Sequence, residues 1–328
     1  MGDRRLTEVE GKHVISQKWL SAAAAGVLTL SLVACGDDNG NPGDGRSGSI
    51  LIDGSSTVAP YSEAAAELFM GANGGVQVSV GTSGTGGGFE KFCNGETDIS
   101  DASRAISDDE IAACEANGVE WQEVAVANDA LSVLVHPDNP VDCLTVDQLN
   151  AIWAPGSTIS RWSDIPELGV DFDEPLDLYG PGTTSGTFDY FTEAINGEEG
   201  VQRTDYNDIG EDDNSGLVGV TGTVGGMFYV GFTYYTENQS QVKALQIDGG
   251  GGCVAPSAEA VQDGSYAPLG RQLYIYPSAA ALGRPEVLAF ITFYIEQNEA
   301  VTEPVGGIPL TPDQRAEAIA KVDSLAGR

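Results

Sequence analysis

The stretch GTSGTGGGFE, residues 81–90, holds five glycines, one serine and two threonines ahead of Phe89 and Glu90. It follows a short apolar run, VQVSV (76–80), that reads as a strand, and it leads into GFEKFCNGE (88–96), which reads as a short helix. A loop between a strand and a helix is thus crowded with bare backbone N–H groups and hydroxyls. The first-turn amides of a helix have no internal partner and lie at the positive end of its dipole. Such a loop suits an oxyanion, with glycine allowing close backbone approach and Ser and Thr adding donors. It is not a nucleotide loop. GxxxxGK[ST] does not fit, and GxGxxG would need glycine where Phe89 stands.

The same order of strand, Ser/Thr/Gly loop and helix recurs at DGSSTVAP (53–60) and at GPGTTSGTFDYF (180–191). Taken singly, each is an N-cap with a tight turn. Three together, at the carboxyl ends of strands in an α/β chain, would surround a small tetrahedral anion.

Around these loops, short apolar runs alternate with helical patterns, the signature of an α/β fold. SILID (49–53), WQEVAVA (121–127), ALSVLVH (130–136), LDLY (176–179), GMFYVGFTYY (226–235) and RQLYIYPS (271–278) read as strands. PYSEAAAELFM (60–70), DDEIAACEANG (108–118), TFDYFTEAI (187–195) and RPEVLAFITFYIEQN (284–298) read as helices. LTVDQLNAIWA (144–154) and LTPDQRAEAIAKVDSL (310–325) open with the capping boxes Thr145/Gln148 and Thr311/Gln314. The expected architecture has two lobes. Residues 49–130 with 272–328 form lobe 1 and 131–271 form lobe 2, so the chain crosses twice and makes a hinge.

The 328 residues carry a formal net charge of −34. Residues 1–34 hold four basic and three acidic residues, which leaves 11 and 46 in the rest. That surface repels nucleic acid and anionic lipid headgroups. Lys12 and Lys18 precede the small apolar run WLSAAAAGVLTLSLVACG (19–36), which reads as a signal peptide over residues 1–34. Its end, LVAC, resembles the lipobox of lipoprotein signal peptides and makes Cys35 the expected lipidation site, with export and membrane anchoring. Residues 35–48 have almost nothing to bury and read as a flexible tether, at most roughly 45 Å long. The four other cysteines, Cys93, Cys114, Cys143 and Cys253, suggest two disulfides in an exported chain. Three pairings are open; Cys93–Cys114 and Cys143–Cys253 are favoured because each stays inside one lobe. No CxxC spacing occurs, and neither metal nor cofactor is expected.

GSSTVAP, GTSGTGGGFEKFCNGETDISDASRAI, LTVDQLNAIW and SGTFDYF together resemble the phosphate-binding protein of the phosphate-specific ABC transporter, the PstS family, over about residues 49–325. The resemblance implies a type II periplasmic-binding fold that closes on one inorganic phosphate and delivers it to a permease. It places the ligand contacts at Ser56 and Thr57, at Ser83, Gly84 and Thr85, and at Ser185, Gly186 and Thr187. A monomer is expected.

Two positions depart from the family pattern. An arginine expected just before the third loop is Pro181, and an aspartate expected to accept the phosphate proton is Ser103. Arg104, next door, is the expected replacement for the arginine, since its fork matches two phosphate oxygens. Asp101 is the expected proton acceptor if it shares a strand face with Ser103, with Asp212 or Asp213 as runners-up. Alternatives are a binder of sulfate, molybdate or a phosphonate, and a hydrolase using Ser83 or Ser185. A hydrolase needs a base, and His136, in VHPDNP, is the only histidine beyond the signal segment.

Overall fold

The computed structural model describes residues 46–328 apart from Thr184, Glu211 and Arg328. The expected signal peptide, Cys35 and most of the tether lie outside the described residues. In chain order the strands are β1 (Gly48–Gly54), β2 (Val76–Thr82), β3 (Ile99–Ala102), β4 (Val124–Val135), β5 (Cys143–Thr145), β6 (Asp177–Gly180), β7 (Asn207–Asp208), β8 (Gly226–Gly231), β9 (Lys243–Ala244), β10 (Gln246–Asp248), β11 (Cys253–Val254) and β12 (Gly270–Pro277). The helices that matter most are α1 (Ala59–Ala72), α2 (Gly84–Cys93), α3 (Asp108–Asn117), α4 (Val146–Trp153), α5 (Gly186–Asn196) and α6 (Asp213–Gly222).

Among the described residues one large mixed sheet runs β2-β1-β3-β12-β4-β8-β6-β7, with β9 also paired to β4. A small sheet, β11-β10-β5, stands apart from it. Strands β2, β1 and β3 are parallel, joined by right-sized helical crossovers. Strand β12 returns from late in the chain and inserts antiparallel between β3 and β4.

Two large apolar clusters flank this sheet. One gathers Ile50, Ile52, Phe69, Val126, Leu273, Ile275, Phe290 and Tyr294. The other gathers Leu131, Val133, Trp153, Phe191, Tyr229 and Leu269, with the Phe191 and Tyr229 rings stacked at 3.8 Å. β4 serves both, Val124 to Ala127 in the first and Ala130 to Val135 in the second. The chain passes between the clusters there and again near Leu269–Leu273.

Both expected disulfides are formed, Cys93–Cys114 and Cys143–Cys253. The capping boxes at Thr145 and Thr311 are present, and Ser107 with Glu110 makes another at the start of α3. Three boundaries differ from expectation. The runs 121–127 and 130–136 are one continuous strand, β4, because buried Asn128 gives its polar groups to Ile308, Pro309 and Gln314 rather than ending the strand. GMFYVGFTYY is a strand only to Gly231 and then turns into a short helix, Phe232–Asn238. The glycine-rich stretch is itself helical from Gly84. Its glycines are set by proximity: a Cβ on Gly88 would lie 2.5 Å from Gly54 Cα, and one on Gly87 would lie 2.9 Å from Ser83 Oγ. Each costs about 1 kcal/mol against Ala in helix propensity, and here it lets α2 lie against β1.

Candidate anion-binding site

The first loop leaves β1 at Gly54. Ser55 N–H donates to the Asp101 carbonyl at 2.9 Å, and Thr57 N–H donates to Ser55 Oγ at 3.2 Å. These bonds fold Ser55–Val58 into a compact turn that presents the Ser56 and Thr57 hydroxyls to the cleft. In the second loop Thr85 is buried and shares a hydrogen bond with the Ser103 hydroxyl at 3.0 Å. Ser103 N–H also donates to Thr85 Oγ1. The start of α2 is thereby pinned to the end of β3.

These groups line a tight cleft of about 200 Å³. Ser55, Ser56 and Thr57 come from the first loop, Gly84 and Thr85 from the second, and Ser103 follows β3. Asp189, Tyr190 and Glu193 of α5 close the other side, with Glu199 beyond them and Arg271 of β12 within. A hollow of about 1450 Å³ by the same measure lies beside Thr145, Glu167 and Asp248. Its lining has three carboxylates and no cation, so it repels an anion.

Arg271 is the residue that sequence reasoning missed. Its side chain is 12% exposed. Its guanidinium donates to the Ser103 carbonyl at 3.1 Å and to Thr57 Oγ1 at 3.3 Å. The group lies 3.3 Å from the centre of the Tyr190 ring, a cation–π arrangement, and faces Asp129 at 3.7 Å and Glu193 at 3.5 Å. Its Nε is buried with no hydrogen-bond partner. The one signal that could have found it is the scarcity of basic residues, 11 beyond residue 34, and that does not single it out.

The expected ligand residues divide. Ser56, Thr57, Gly84, Thr85 and Ser103 line the cleft. Gly186 closes against the first loop, and a Cβ there would sit 3.4 Å from Thr57 Oγ1. Ser185 caps α5 by accepting from Thr187 N–H at 3.3 Å. The third loop therefore meets the first, at the edge of the cleft. Ser83 turns aside: its hydroxyl donates to the Asp53 carboxylate, which Lys91 also grips at 2.7 Å. Burial alone would raise the Asp53 pKa, but the bonds from Lys91 and Ser83 outweigh it and hold it low.

Arg104 is committed elsewhere. It makes two 2.9 Å bonds to Glu110, the capping residue of α3, and approaches Glu193 at 3.7 Å. It lines a neighbouring chamber rather than the cleft itself. Asp101 also departs from expectation. β3 ends at Ala102, so strand alternation no longer relates Asp101 to Ser103. The Asp101 carboxyl is fully buried beneath α1, where Ser62 donates to it at 2.9 Å, and its other oxygen has no partner. Burial pushes it up to about 8. Asp212 accepts from Ser215 at the start of α6 and is not in the cleft; neither is Asp213. His136 accepts from Asp138 N–H in a turn.

Of the three carboxylates that line the cleft, Asp189, Glu193 and Glu199, the one bonded to the first loop is Asp189. It accepts from Ser56 Oγ at 3.3 Å. Burial raises its pKa, Glu199 and Glu193 add to the rise, and Ser56 and Arg271 oppose it. A half-buried acid beside neutral hydroxyls and one guanidinium can accept a hydrogen bond from a protonated oxyanion.

The PBP superfamily domain matches residues 39–298. The SphX protein of Synechocystis is 42% identical over 296 residues, 89% of this chain and 87% of that one. The phosphate-binding protein PstS of Staphylococcus saprophyticus is 35% identical, over 95% of this chain and 96% of its own. A crystal structure described as a possible phosphate binding protein from Planctomyces limnophilus superposes with a TM-score of 0.80 at 42% identity, covering 85% of this chain and 99% of that one. The fold is thus the α/β fold of periplasmic binding proteins, and the chain belongs to the PstS family of phosphate-binding proteins within the PBP superfamily.

Proposed function

We propose that this protein captures inorganic phosphate in the cleft and delivers it to an ABC permease, as an exported lipoprotein held to the membrane through Cys35. The observation that carries the reading is the convergence of hydroxyls from the first two loops and the end of β3 on one small cleft with a guanidinium inside it. Phosphate oxygens would accept from Ser56, Thr57, Thr85 and Ser103, from the Gly84 amide, and from the fork of Arg271. Ser185, Gly186 and Thr187 would close from the α5 side. The arginine role passes from Arg104 to Arg271, and the proton-accepting role from Asp101 to Asp189.

Phosphate near neutral pH carries at least one proton and sulfate carries none. A carboxylate accepts that proton's hydrogen bond and repels a bare sulfate oxygen, so Asp189 would separate two ions of the same shape. The two chain passages, through β4 and before β12, would act as the hinge between residues 49–130 with 272–328 and residues 131–271. Closure then brings α5 onto the first two loops and excludes water.

Calorimetry of the protein without its lipid tests this with phosphate, arsenate, sulfate and molybdate. Phosphate binds at a 1:1 ratio and arsenate competes, because it shares shape and protonation. Binding of sulfate or molybdate in preference to phosphate would reject the assignment.

A further inference from the structure

Glu193 stands at the boundary between the cleft and the chamber beside it, and it lines both. Its two carboxylate oxygens are divided between two arginines. Oε2 lies 3.5 Å from Arg271 and Oε1 lies 3.7 Å from Arg104. Both separations are at the long end of an ion pair, and the side chain is 29% exposed. Arg104 is held principally by Glu110, with two bonds of 2.9 Å. Arg271 has neutral partners in Thr57 and the Ser103 carbonyl; its ion pairs are with Asp129 and Glu193, and its charge also acts on Asp189. Asp129 is anchored in β4, has its side chain 18% exposed, and lies on the Nε side of the guanidinium. Glu193 lies on the Nη1 side, beside the Ser103 carbonyl, and itself lines the cleft.

An oxyanion entering the cleft therefore competes with Glu193 for one edge of Arg271. We propose that Glu193 is a built-in counter-anion that sets the affinity of the cleft. It neutralises Arg271 until the ion arrives, yields that guanidinium to the ion, and keeps its other oxygen on Arg104. The second arginine explains why the exchange does not strand a charge: the displaced carboxylate already has a cation within reach. This rests on the proposed phosphate function and adds a residue that weakens binding by design. Glu199 also lines the cleft, yet it makes no ion pair with either arginine, so it provides the comparison.

The test is calorimetric titration with inorganic phosphate of wild type, Glu193→Gln, Glu193→Ala and Glu199→Gln, with thermal unfolding of each without phosphate. Both Glu193 variants tighten phosphate binding by roughly fivefold or more, the factor that about 1 kcal/mol represents for a partly exposed pair. Both also melt lower than wild type without phosphate, because the resident ion pair is gone. Glu199→Gln removes a charge from the same cleft without breaking an ion pair, so it tightens binding less than either Glu193 variant. Weaker or unchanged binding in the Glu193 variants would overturn the proposal, since Glu193 would then be a clasp or a bystander. Equal tightening in Glu199→Gln would also overturn it, because the effect would be a general field of negative charge. Failure of the functional reading looks different: neither wild type nor any variant takes up phosphate.

Discussion

Replacing Arg271 with Ala removes the guanidinium that ties Thr57 to the Ser103 carbonyl inside the cleft. Hydrogen bonds to charged groups contribute about 1.5–3 kcal/mol each, so phosphate affinity falls by roughly 30-fold or more in Arg271→Ala. Arg104→Ala stays within about threefold, because that side chain is spent on Glu110. Calorimetry on the pair decides between them, and a larger loss at Arg104 would restore the expectation drawn from its place beside Ser103. Asp101 makes a second prediction at this scale. Its folded-state pKa is pushed up to about 8 by burial, from an ordinary value of 3.8. The folded state therefore holds a proton that the unfolded chain has released. On this account stability is fully present below the unfolded pKa and is lost as pH rises from about 4 through about 8. Asp101→Asn removes that decline, which urea unfolding at pH 5 and pH 8 would reveal as a flatter profile. The hydroxyl loops were legible in the sequence because a strand, a Ser/Thr/Gly run and a helix start are neighbours in the chain. Arg271 was not, because its place beside Thr57 depends on a strand whose partners lie more than a hundred residues earlier. Asp101 misled for a different reason: alternation along a strand stops where the strand stops, and β3 ends one residue too soon.

At the scale of elements, helix ends and disulfides were the most readable features. Thr145, Thr311 and their glutamine partners are local chemistry and fold as written. Segment lengths were less readable. Asn128 and Asp129 look like a break in the sequence, yet both sit in an unbroken strand, Asn128 buried and bonded to the C-terminal segment and Asp129 facing Arg271. The α2 glycines suggested a loop, since nothing local announces that β1 will lie against them. The two disulfides differ in what they close. Cys93 and Cys114 are 21 residues apart and join α2 to α3, whereas Cys143 and Cys253 are 110 apart and tie the small sheet together. A longer closed loop removes more freedom from the unfolded chain. The double variant Cys143→Ser/Cys253→Ser therefore loses about 1.5 kcal/mol more stability than Cys93→Ser/Cys114→Ser, as measured by chemical unfolding. The reverse order would mean that strain or residual structure, not loop length, dominates.

For the whole molecule, the α/β class and the alternation of segments were visible from the start, while the sheet order was not. Nothing in the sequence of β12 states that it will separate β3 from β4; that follows from how Leu273 and Ile275 complete the core around Val126 and Phe290. No helix among the described residues is long and apolar enough to cross a membrane. Phosphate-driven closure about the β4 and β12 passages would shrink the radius of gyration on saturation. Small-angle scattering with and without phosphate checks this, and an unchanged radius would argue against a moving hinge.

The late insertion of β12 also bears on how the chain reaches its final form. Until residues 270–277 have emerged, β3 and β4 have no strand between them. A ribosome that has made only the first two hundred residues after β1 holds an open, unfinished scaffold. Assembly is in this way deferred to the end of synthesis, a delay that suits the export proposed above. A fragment ending at residue 269 is accordingly expected to be digested rapidly by protease under conditions in which the full chain survives.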